Sequence, residues 1–330
     1  MTAVISIVTP CFNPGSLILE LEESLVAQGL TEIEWVIVDD GSDQETLDFL
    51  LEIESRSELR ARVIRGSNQG ACHARNVGFK LSHGRWVKFV DADDILEPGH
   101  LREQLELATV SPTAVIVSPK HDFYDSVDEK RIERYSGVNV SELEDPFRRM
   151  LVAAPFHHSS ALYPRSLVEA IGGWDESLAA DQDGDFLLRL LLLRPKLVWC
   201  DGAGFLFRQH SYTNRITMND NPRKWESRFY VCSKIETQLS QAGLLDAYRN
   251  ELALRYDRIA KRALTGGGSD EVISKALNSA GELSSVYLKL EPKYVRILRT
   301  FLGFKRAELL RSSVEKNRCW KRIRYGIRSV

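Results

Sequence analysis

Three carboxylates follow a short apolar segment in the first third of the chain, and their spacing could hold a divalent cation. Residues 86–90 are predicted to form a buried strand, and Asp91, Asp93 and Asp94 come directly after it. Carboxylates this close repel one another unless a cation lies between them, and such oxygen ligands suit Mg²⁺ or Mn²⁺ shared with substrate phosphates. The alternative is structural, with Asp94 capping the helix that follows. A lone DxD pattern often matches by chance, so its sequence context decides between the two.

Other predicted strands also lead into polar side chains. These strands cover residues 4–9, 33–38 and 62–64, and a helix that carries Arg75 follows the third. The carboxyl ends of parallel strands meet at one edge of an open α/β sheet, where ligands bind. We therefore expect one group of polar side chains to gather there: Thr9, Asn13, Asp39, Asp40, Arg75, Asp91 and Asp93.

The elements that must position these side chains alternate between strand and helix, which is typical of βαβ units with a parallel sheet. Beyond about residue 214 the strand signals end, and helical patterns follow over 225–239, 244–264, 271–288 and 294–310. We predict an α/β catalytic domain over residues 1–215 and a helical C-terminal extension over residues 216–330.

The composition is that of a soluble globular protein, with 330 residues, 43% hydrophobic and 27% charged. Five scattered cysteines without a CxxC pair favour a reducing compartment over a disulfide framework. No apolar leader precedes the first strand, and no segment reaches the ~20 apolar residues of a membrane span. These features predict a cytoplasmic protein.

Five stretches, taken in order, resemble the family 2 glycosyltransferases of the GT-A fold. They are VTPCFN (8–13), VIVDDGS (36–42), NQG with ARNVG (68–78), FVDADD (89–94), and GGWDE (172–176) followed by 183–190. Five motifs in the family's order are far more specific than any one of them. The resemblance covers residues 4 to about 215, and it implies a Rossmann-type, mostly parallel sheet and inverting transfer from a nucleotide-diphospho-sugar.

The resemblance also implies roles for the donor-binding residues. Asp39 and Asp40 would accept hydrogen bonds from the nucleoside, since ribose hydroxyls and a uracil N–H are donors. Arg75 would lie near the diphosphate or the base, where it would use its fixed donor fork. The alternatives are an Asx turn for the aspartates and a solvated helix face for Arg75. The full donor-binding set is Thr9, Asn13, Asp39, Asp40, Arg75 and Asp91.

Metal binding is assigned by the same resemblance. Asp93 would bind Mn²⁺ or Mg²⁺ directly, and the cation would neutralise charge on the departing diphosphate. His210, after a predicted strand, resembles a family element close to the diphosphate or metal, although a lone histidine is more often structural.

The catalytic base is predicted to be Asp183. Inversion at an anomeric carbon needs a carboxylate to take the proton of the acceptor hydroxyl. In this family the base usually follows a Glu, but this chain has Gln182 at that position. An alignment shifted by one or two residues would place Asp181 at the position of the base instead. Helix caps also favour Asp, so a structural role is the alternative.

Trp174 and His158 are predicted to contact the acceptor. For Trp174 the alternative is ordinary core packing. The pair His157 and His158 has no Cys or carboxylate nearby at the spacing of a metal site, so it is weak evidence for a metal and we assign none to it.

The C-terminal residues 294–306 and 317–325 mix basic, aromatic and aliphatic side chains. A basic amphipathic helix is typical of binding to an anionic membrane surface, with about 1 kcal/mol contributed per Lys or Arg. Nucleic-acid binding is the alternative, but the acidic remainder of the chain argues against it. We expect peripheral association with the inner face of the cell membrane and a saccharide or lipid-linked saccharide as acceptor.

The resulting hypothesis is an inverting, metal-dependent glycosyltransferase, with a UDP-sugar as donor, that acts in cell-surface polysaccharide or glycan synthesis. A sugar nucleotidyltransferase would need a Gly-rich, basic phosphate loop after the first strand, where residues 10–14 read PCFNP. A dinucleotide-dependent oxidoreductase would need GxGxxG, which is missing there. A non-catalytic sugar-nucleotide or membrane-binding module is the remaining alternative, because Gln182 replaces the Glu that usually precedes the base in this family.

Overall fold

A computed structural model describes residues 4–126, 129–134, 137–209 and 223–284. The chain divides into two compact units, Met1–Asn219 and Asp220–Val330. The assignment of these units as a catalytic domain and an extension stays a prediction. Both His210 and the basic C-terminal residues lie outside the described residues.

The first unit alternates strands and helices, as its sequence periodicity predicts. Its strands are β1 Ile5–Cys11, β2 Ile33–Asp39, β3 Arg60–Arg65, β4 Trp86–Phe89, β5 Ile95–Leu96, β6 Val115–Val117, β7 Lys120–Ser126, β8 Glu129–Glu133, β9 Ala161–Pro164, β10 Leu197–Trp199 and β11 Phe205–Gln209. Its helices are α1 Leu17–Val26, α2 Gln44–Arg56, α3 Ala71–Leu81, α4 His100–Val110, α5 Pro146–Val152, α6 Arg165–Ala170 and α7 Gln182–Leu192.

Two sheets organise these elements. A seven-stranded sheet has the order β10-β6-β9-β4-β1-β2-β3. It is parallel except for β9, which runs antiparallel to both β4 and β6. A four-stranded sheet has the order β5-β11-β7-β8, in which β7 and β8 pair antiparallel. Strands β1, β2 and β4 are almost entirely buried, as expected for parallel strands covered on both faces.

A glycine lets helix α3 approach the sheet closely. A Cβ atom added at Gly78 would lie 2.5 Å from Cγ1 of Val8 on β1. No side chain fits at that separation, so Gly78 fixes the distance between α3 and β1. Because Arg75 lies on the same helix, this packing also sets how far its side chain stands from the strand ends.

The second unit contains three described helices, α8 Arg223–Gln241, α9 Leu245–Thr265 and α10 Asp270–Leu283. Trp225 Nε1 donates to the Gly266 carbonyl at 2.9 Å, and Ser269 caps α10 by accepting from Val272 N. Among the described residues, no helix combines the length and the apolarity that a bilayer-spanning segment requires.

Candidate active site

The predicted donor-binding aspartates shape the loops at the carboxyl ends of β2 and β3. Both oxygens of the buried Asp40 carboxylate accept backbone hydrogen bonds, from Gln69 N and Gly70 N, each at 2.7 Å. Asp39 Oδ1 accepts from Ser42 N at 3.0 Å. Asp40 therefore fixes the start of helix α3, and Asp39 forms the turn that was the structural alternative at this position.

The two residues predicted on the first strand and its turn also make internal bonds. Thr9 is fully buried, and its hydroxyl accepts from Trp35 Nε1 at 2.9 Å. Asn13 adopts a positive φ, and its Oδ1 accepts from Asp43 N at 2.7 Å. The first bond joins β1 to β2, and the second holds the loop after β1 against the start of α2. Nucleotide binding by either side chain stays a prediction.

Arg75 and Asp91 lie together in the structure. Arg75 Nη2 donates to Asp91 Oδ1 at 2.6 Å, and the guanidinium stacks 4.5 Å from the ring centre of Trp174. Burial alone would lower the pKa of Arg75, but the negative charges of Asp91 and Asp183 raise it. Its buried Nε and Nη1 have no hydrogen-bond partner in the described part of the chain. Two charged donors are thus available to an anionic ligand.

The carboxylate motif after β4 concentrates negative charge. Asp94 is buried, and burial together with the charges of Asp93 and Asp91 raises its pKa well above the usual range. Its Oδ2 has no partner among the described residues. The set of carboxylates is chemically suited to a hard cation such as Mg²⁺ or Mn²⁺. Asp91 and Asp93 are the residues that could hold it.

An arginine that sequence reasoning missed holds this motif in place. Arg208 Nε donates to the Asp93 carbonyl at 2.7 Å, and Arg208 N donates to Asp94 Oδ1 at 2.9 Å. Its Nη2 reaches Glu20 Oε2 at 2.7 Å. Nothing in the local sequence distinguishes Arg208 from a surface arginine, because all these partners come from distant segments.

The predicted base lies beside a predicted acceptor residue. His158 Nδ1 is 3.2 Å from Asp183 Oδ1, and His158 Nε2 is 4.0 Å from Asp91 Oδ2. Burial by itself would raise the pKa of Asp183, but His158, His157 and Arg75 together hold it below the usual range. Asp183 is therefore an anion at neutral pH, in the first turn of α7.

The neighbouring aspartates have different surroundings. Asp185 is fully buried, and its Oδ2 accepts from Arg189 Nε at 2.8 Å. Asp181 is the N-cap residue of α7 in a left-handed conformation with φ of 61°. Of these three aspartates, Asp183 pairs with the histidine that also approaches Asp91.

Trp174 packs in an aromatic cluster. Its ring stacks on Phe186 at 4.3 Å and meets His158 edge-on at 5.2 Å. Its exposed fraction is 3%, which matches the core-packing alternative. An acceptor contact by Trp174 stays a prediction.

Asn76, which lies in one of the motifs without a predicted role, anchors the turn that carries Trp174. Its Oδ1 accepts from Trp174 N and its Nδ2 donates to the Trp174 carbonyl, both at 2.8 Å. Nδ2 also donates to Glu176 Oε1 at 2.7 Å. A Cβ atom at Gly173, where φ is +73°, would lie 2.6 Å from Asn76 Oδ1. The asparagine of one motif and the glycine of another therefore form a single joint.

The structure corrects the premise that the paired histidines lack a nearby carboxylate. One ligand atom from each of His157, His158 and Asp183 lies within 4.8 Å of the others. Helix α7 brings the carboxylate to the histidines from a later part of the chain, which sequence spacing around the pair could not reveal. Burial lowers the pKa of His157 to about 3, with a further contribution from His158.

A mostly parallel sheet with aspartates at its carboxyl edge defines an α/β protein of the GT-A type. The model of glycosyl transferase family 2 matches residues 6–172. The chain therefore belongs to glycosyl transferase family 2.

Relatives and solved structures agree with this placement. An uncharacterized glycosyltransferase of Haemophilus influenzae is 29% identical over 57% of this chain and 62% of its own length. Chondroitin synthase of Escherichia coli is 27% identical over 58% of this chain and 27% of its own length. The chain thus spans less than two thirds of the length of each of these two relatives.

Two solved structures support the fold. S. aureus TarS in complex with UDP-GlcNAc superimposes with a TM-score of 0.66 at 20% identity, covering 92% of this chain and 88% of that one. A mannosyltransferase from Pyrobaculum calidifontis in complex with GDP-Man and Mn²⁺ gives a TM-score of 0.52 at 16% identity, covering 94% and 86%.

Proposed function

We propose that this protein is an inverting glycosyltransferase that moves a sugar from a nucleotide-diphospho-sugar to a hydroxyl of a saccharide acceptor. The observation that carries the proposal is one connected group of ionisable side chains. Arg75 pairs with Asp91, and His158 lies between Asp91 and Asp183. An anion-binding guanidinium and an ionised carboxylate in the same group are what this reaction requires.

Arg75 would bind the donor diphosphate through Nε and Nη1, the two nitrogens without a hydrogen-bond partner among the described residues. Its stacking on Trp174 and its bond to Asp91 hold the guanidinium in one orientation, so little side-chain entropy is lost on binding. Asp39 and Asp40 would shape the pocket for the nucleoside, with Asp40 acting through the loop that it fixes.

Asp93, together with Asp91, would hold Mn²⁺ or Mg²⁺. The raised pKa of Asp94, caused by burial and then by the charges of Asp93 and Asp91, fits a site with uncompensated negative charge. When bound, such a cation supplies Lewis-acid stabilisation of charge on the leaving diphosphate. The acidic motif is held for this task by Arg208, which contacts Asp93 and Asp94.

Asp183 would act as the general base. Its carboxylate takes the proton of the acceptor hydroxyl as that oxygen bonds to the anomeric carbon and the bond to the diphosphate breaks. Attack from the side opposite the leaving group inverts the anomeric configuration. His158 contributes by keeping Asp183 ionised, since its proximity lowers the pKa of that carboxyl.

For the donor, we favour a UDP-sugar, since TarS was solved with UDP-GlcNAc and shares this fold. For the acceptor, we favour a growing cell-surface polysaccharide or a lipid-linked saccharide, since chondroitin synthase is among the relatives. Action at the cytoplasmic face of the membrane, through the basic C-terminal residues, belongs to the same proposal. Truncation after residue 284 should then reduce binding to anionic vesicles. Unchanged binding would refute the proposed membrane association.

The test of the whole proposal compares two neighbouring aspartates. Purified full-length protein is screened for transfer or donor hydrolysis with nucleotide sugars and Mn²⁺. We expect Asp183→Asn to lower kcat by at least about 10²-fold, the lower range for a general base. Asp181→Asn, in which Asn tolerates the left-handed conformation, should stay near wild type. Equal losses in both variants, or none in Asp183→Asn, would refute the assignment of the base.

A further inference from the structure

We propose a second cation site, formed by His157, His158 and Asp183, that binds Zn²⁺ or a cation of the same class such as Co²⁺. One ligand atom of each residue lies within 4.8 Å of the other two. Two imidazoles and one carboxylate are ligands that suit zinc, whereas Mg²⁺ and Mn²⁺ prefer oxygen ligands such as those after β4. The two sites would therefore select different cations by ligand chemistry.

His158 provides the central ligand. Its side chain is only 1% exposed, and its buried Nδ1 has no hydrogen-bond partner in the residues that the structure describes. Asp183 Oδ1 lies 3.2 Å from this nitrogen. Its other nitrogen, Nε2, lies 3.0 Å from Ser159 Oγ. Metal-binding histidines normally keep their second nitrogen hydrogen-bonded in this way, which fixes the ring and leaves one nitrogen for the cation.

Small movements complete the geometry. Zinc bonds of 2.0–2.1 Å in a tetrahedral site put neighbouring ligand atoms about 3.3 Å apart. His158 and Asp183 already stand at 3.2 Å, so the remaining adjustment falls on His157. Its Nδ1 accepts from Ser159 N at 3.3 Å, a long bond whose replacement by a metal bond costs little.

Access and charge also favour a cation here. His157 and Asp183 are partly exposed, so a fourth position is open to water or to a ligand. The carboxylate of Asp91 lies 4.0 Å from His158 Nε2 and adds a second negative charge, while Arg75 supplies one positive charge. Asp183 and Asp91 thus place two negative charges close to the imidazoles.

The site has a consequence that rests on the proposed function. A zinc ion held by Asp183 occupies the lone pair that would take the acceptor proton. Zinc should therefore inhibit transfer even when the site at Asp93 is saturated with Mg²⁺ or Mn²⁺. Added acceptor should oppose the inhibition more than added donor does.

Binding is tested without reference to activity. Full-length protein in excess Mg²⁺ is titrated with Co²⁺, whose visible absorption reports a tetrahedral site, and Zn²⁺ affinity is then obtained by competition. We expect His158→Gln to weaken binding by more than the roughly tenfold to hundredfold seen when an outer-shell partner is lost. Asp183→Asn, at a half-exposed side chain, provides the same test if His158→Gln fails to fold.

The chain offers a matched control. His83 is exposed, and its Nδ1 lies 3.5 Å from Glu34 Oε2, so it forms an imidazole–carboxylate pair. This pair is not part of a three-ligand group among the described residues. His83→Ala and Asp93→Ala should both retain wild-type Co²⁺ binding. Unchanged affinity in His158→Gln and Asp183→Asn, or loss of binding in Asp93→Ala, would overturn the site. Cobalt binding without transfer from any donor would instead remove the proposed function and leave the site intact.

Discussion

Replacing Gly173 by alanine should destabilise the first unit far more than the same change at its neighbour Gly172. Both glycines have φ of +73°, so each alanine costs about 1–2 kcal/mol for the left-handed backbone. A Cβ atom at Gly172 meets nothing within 4 Å, but at Gly173 it would lie 2.6 Å from Asn76 Oδ1. The pair of substitutions thus separates backbone strain from the steric clash.

The clash sets the size of the difference. Asn76 makes bonds to Trp174 N, to the Trp174 carbonyl and to Glu176, and it must move if Gly173 gains a side chain. Loss of two or three such bonds at about 1 kcal/mol each adds roughly 2–3 kcal/mol. We expect about 1–2 kcal/mol for Gly172→Ala and about 3–5 kcal/mol for Gly173→Ala.

Denaturant unfolding of the full chain, followed by tryptophan fluorescence, measures both values from midpoint shifts at constant slope. In Asn76→Ala the clash is already relieved, so Gly173→Ala should cost less in that background than in the wild type. If Gly173→Ala destabilises no more than Gly172→Ala, the joint between α3 and the turn does not exist as described. Additive losses in the double variant would lead to the same conclusion.

Three further predictions follow from other contacts. Burial would raise the pKa of Glu34, but hydrogen bonds from a serine hydroxyl and two backbone N–H groups lower it in the folded protein. The ionised Glu34 therefore stabilises the fold above about pH 4.5, and this contribution is lost as the pH falls. In Glu34→Gln the free energy of unfolding should therefore decrease less between neutral and acid pH than in the wild type. An unchanged pH dependence would contradict this. Arg208→Lys should raise the Mn²⁺ concentration for half-maximal activity by about tenfold, because the carbonyl of Asp93 loses its donor at 2.7 Å. Arg75→Lys removes the guanidinium, whose Nη2 donates to Asp91 and whose Nε and Nη1 would face the diphosphate. Loss of a charged hydrogen bond should lower kcat/KM for the donor about 10- to 100-fold. Equal donor kinetics would refute the diphosphate role.

The amino-acid sequence determined the class of fold. Apolar runs of strand length, helical periodicity and turn residues are local signals, and they predicted the βα alternation that the structure confirms. Five motifs in order also predicted the family, which the match over residues 6–172 confirms. Aspartates directly follow the predicted strands along the chain, so residue order alone was enough to predict an acidic edge of the sheet.

Only the tertiary structure decided how these residues meet. Asn76 and Trp174 are 98 positions apart, and no local pattern links them. The same is true of Arg208 with the motif at Asp93, 115 positions apart. Such pairs are set by the order of strands in the sheet and by helix packing, which depend on the whole chain.

The paired histidines show the difference most clearly. Sequence spacing around His157 and His158 shows no third ligand, so the sequence alone gives no reason to assign a metal to them. The fold then placed the first turn of α7 beside them, with Asp183 Oδ1 at 3.2 Å from His158 Nδ1. Residue types fix which chemistry is available, but a carboxylate acts on an imidazole only through distance, and folding alone sets that distance.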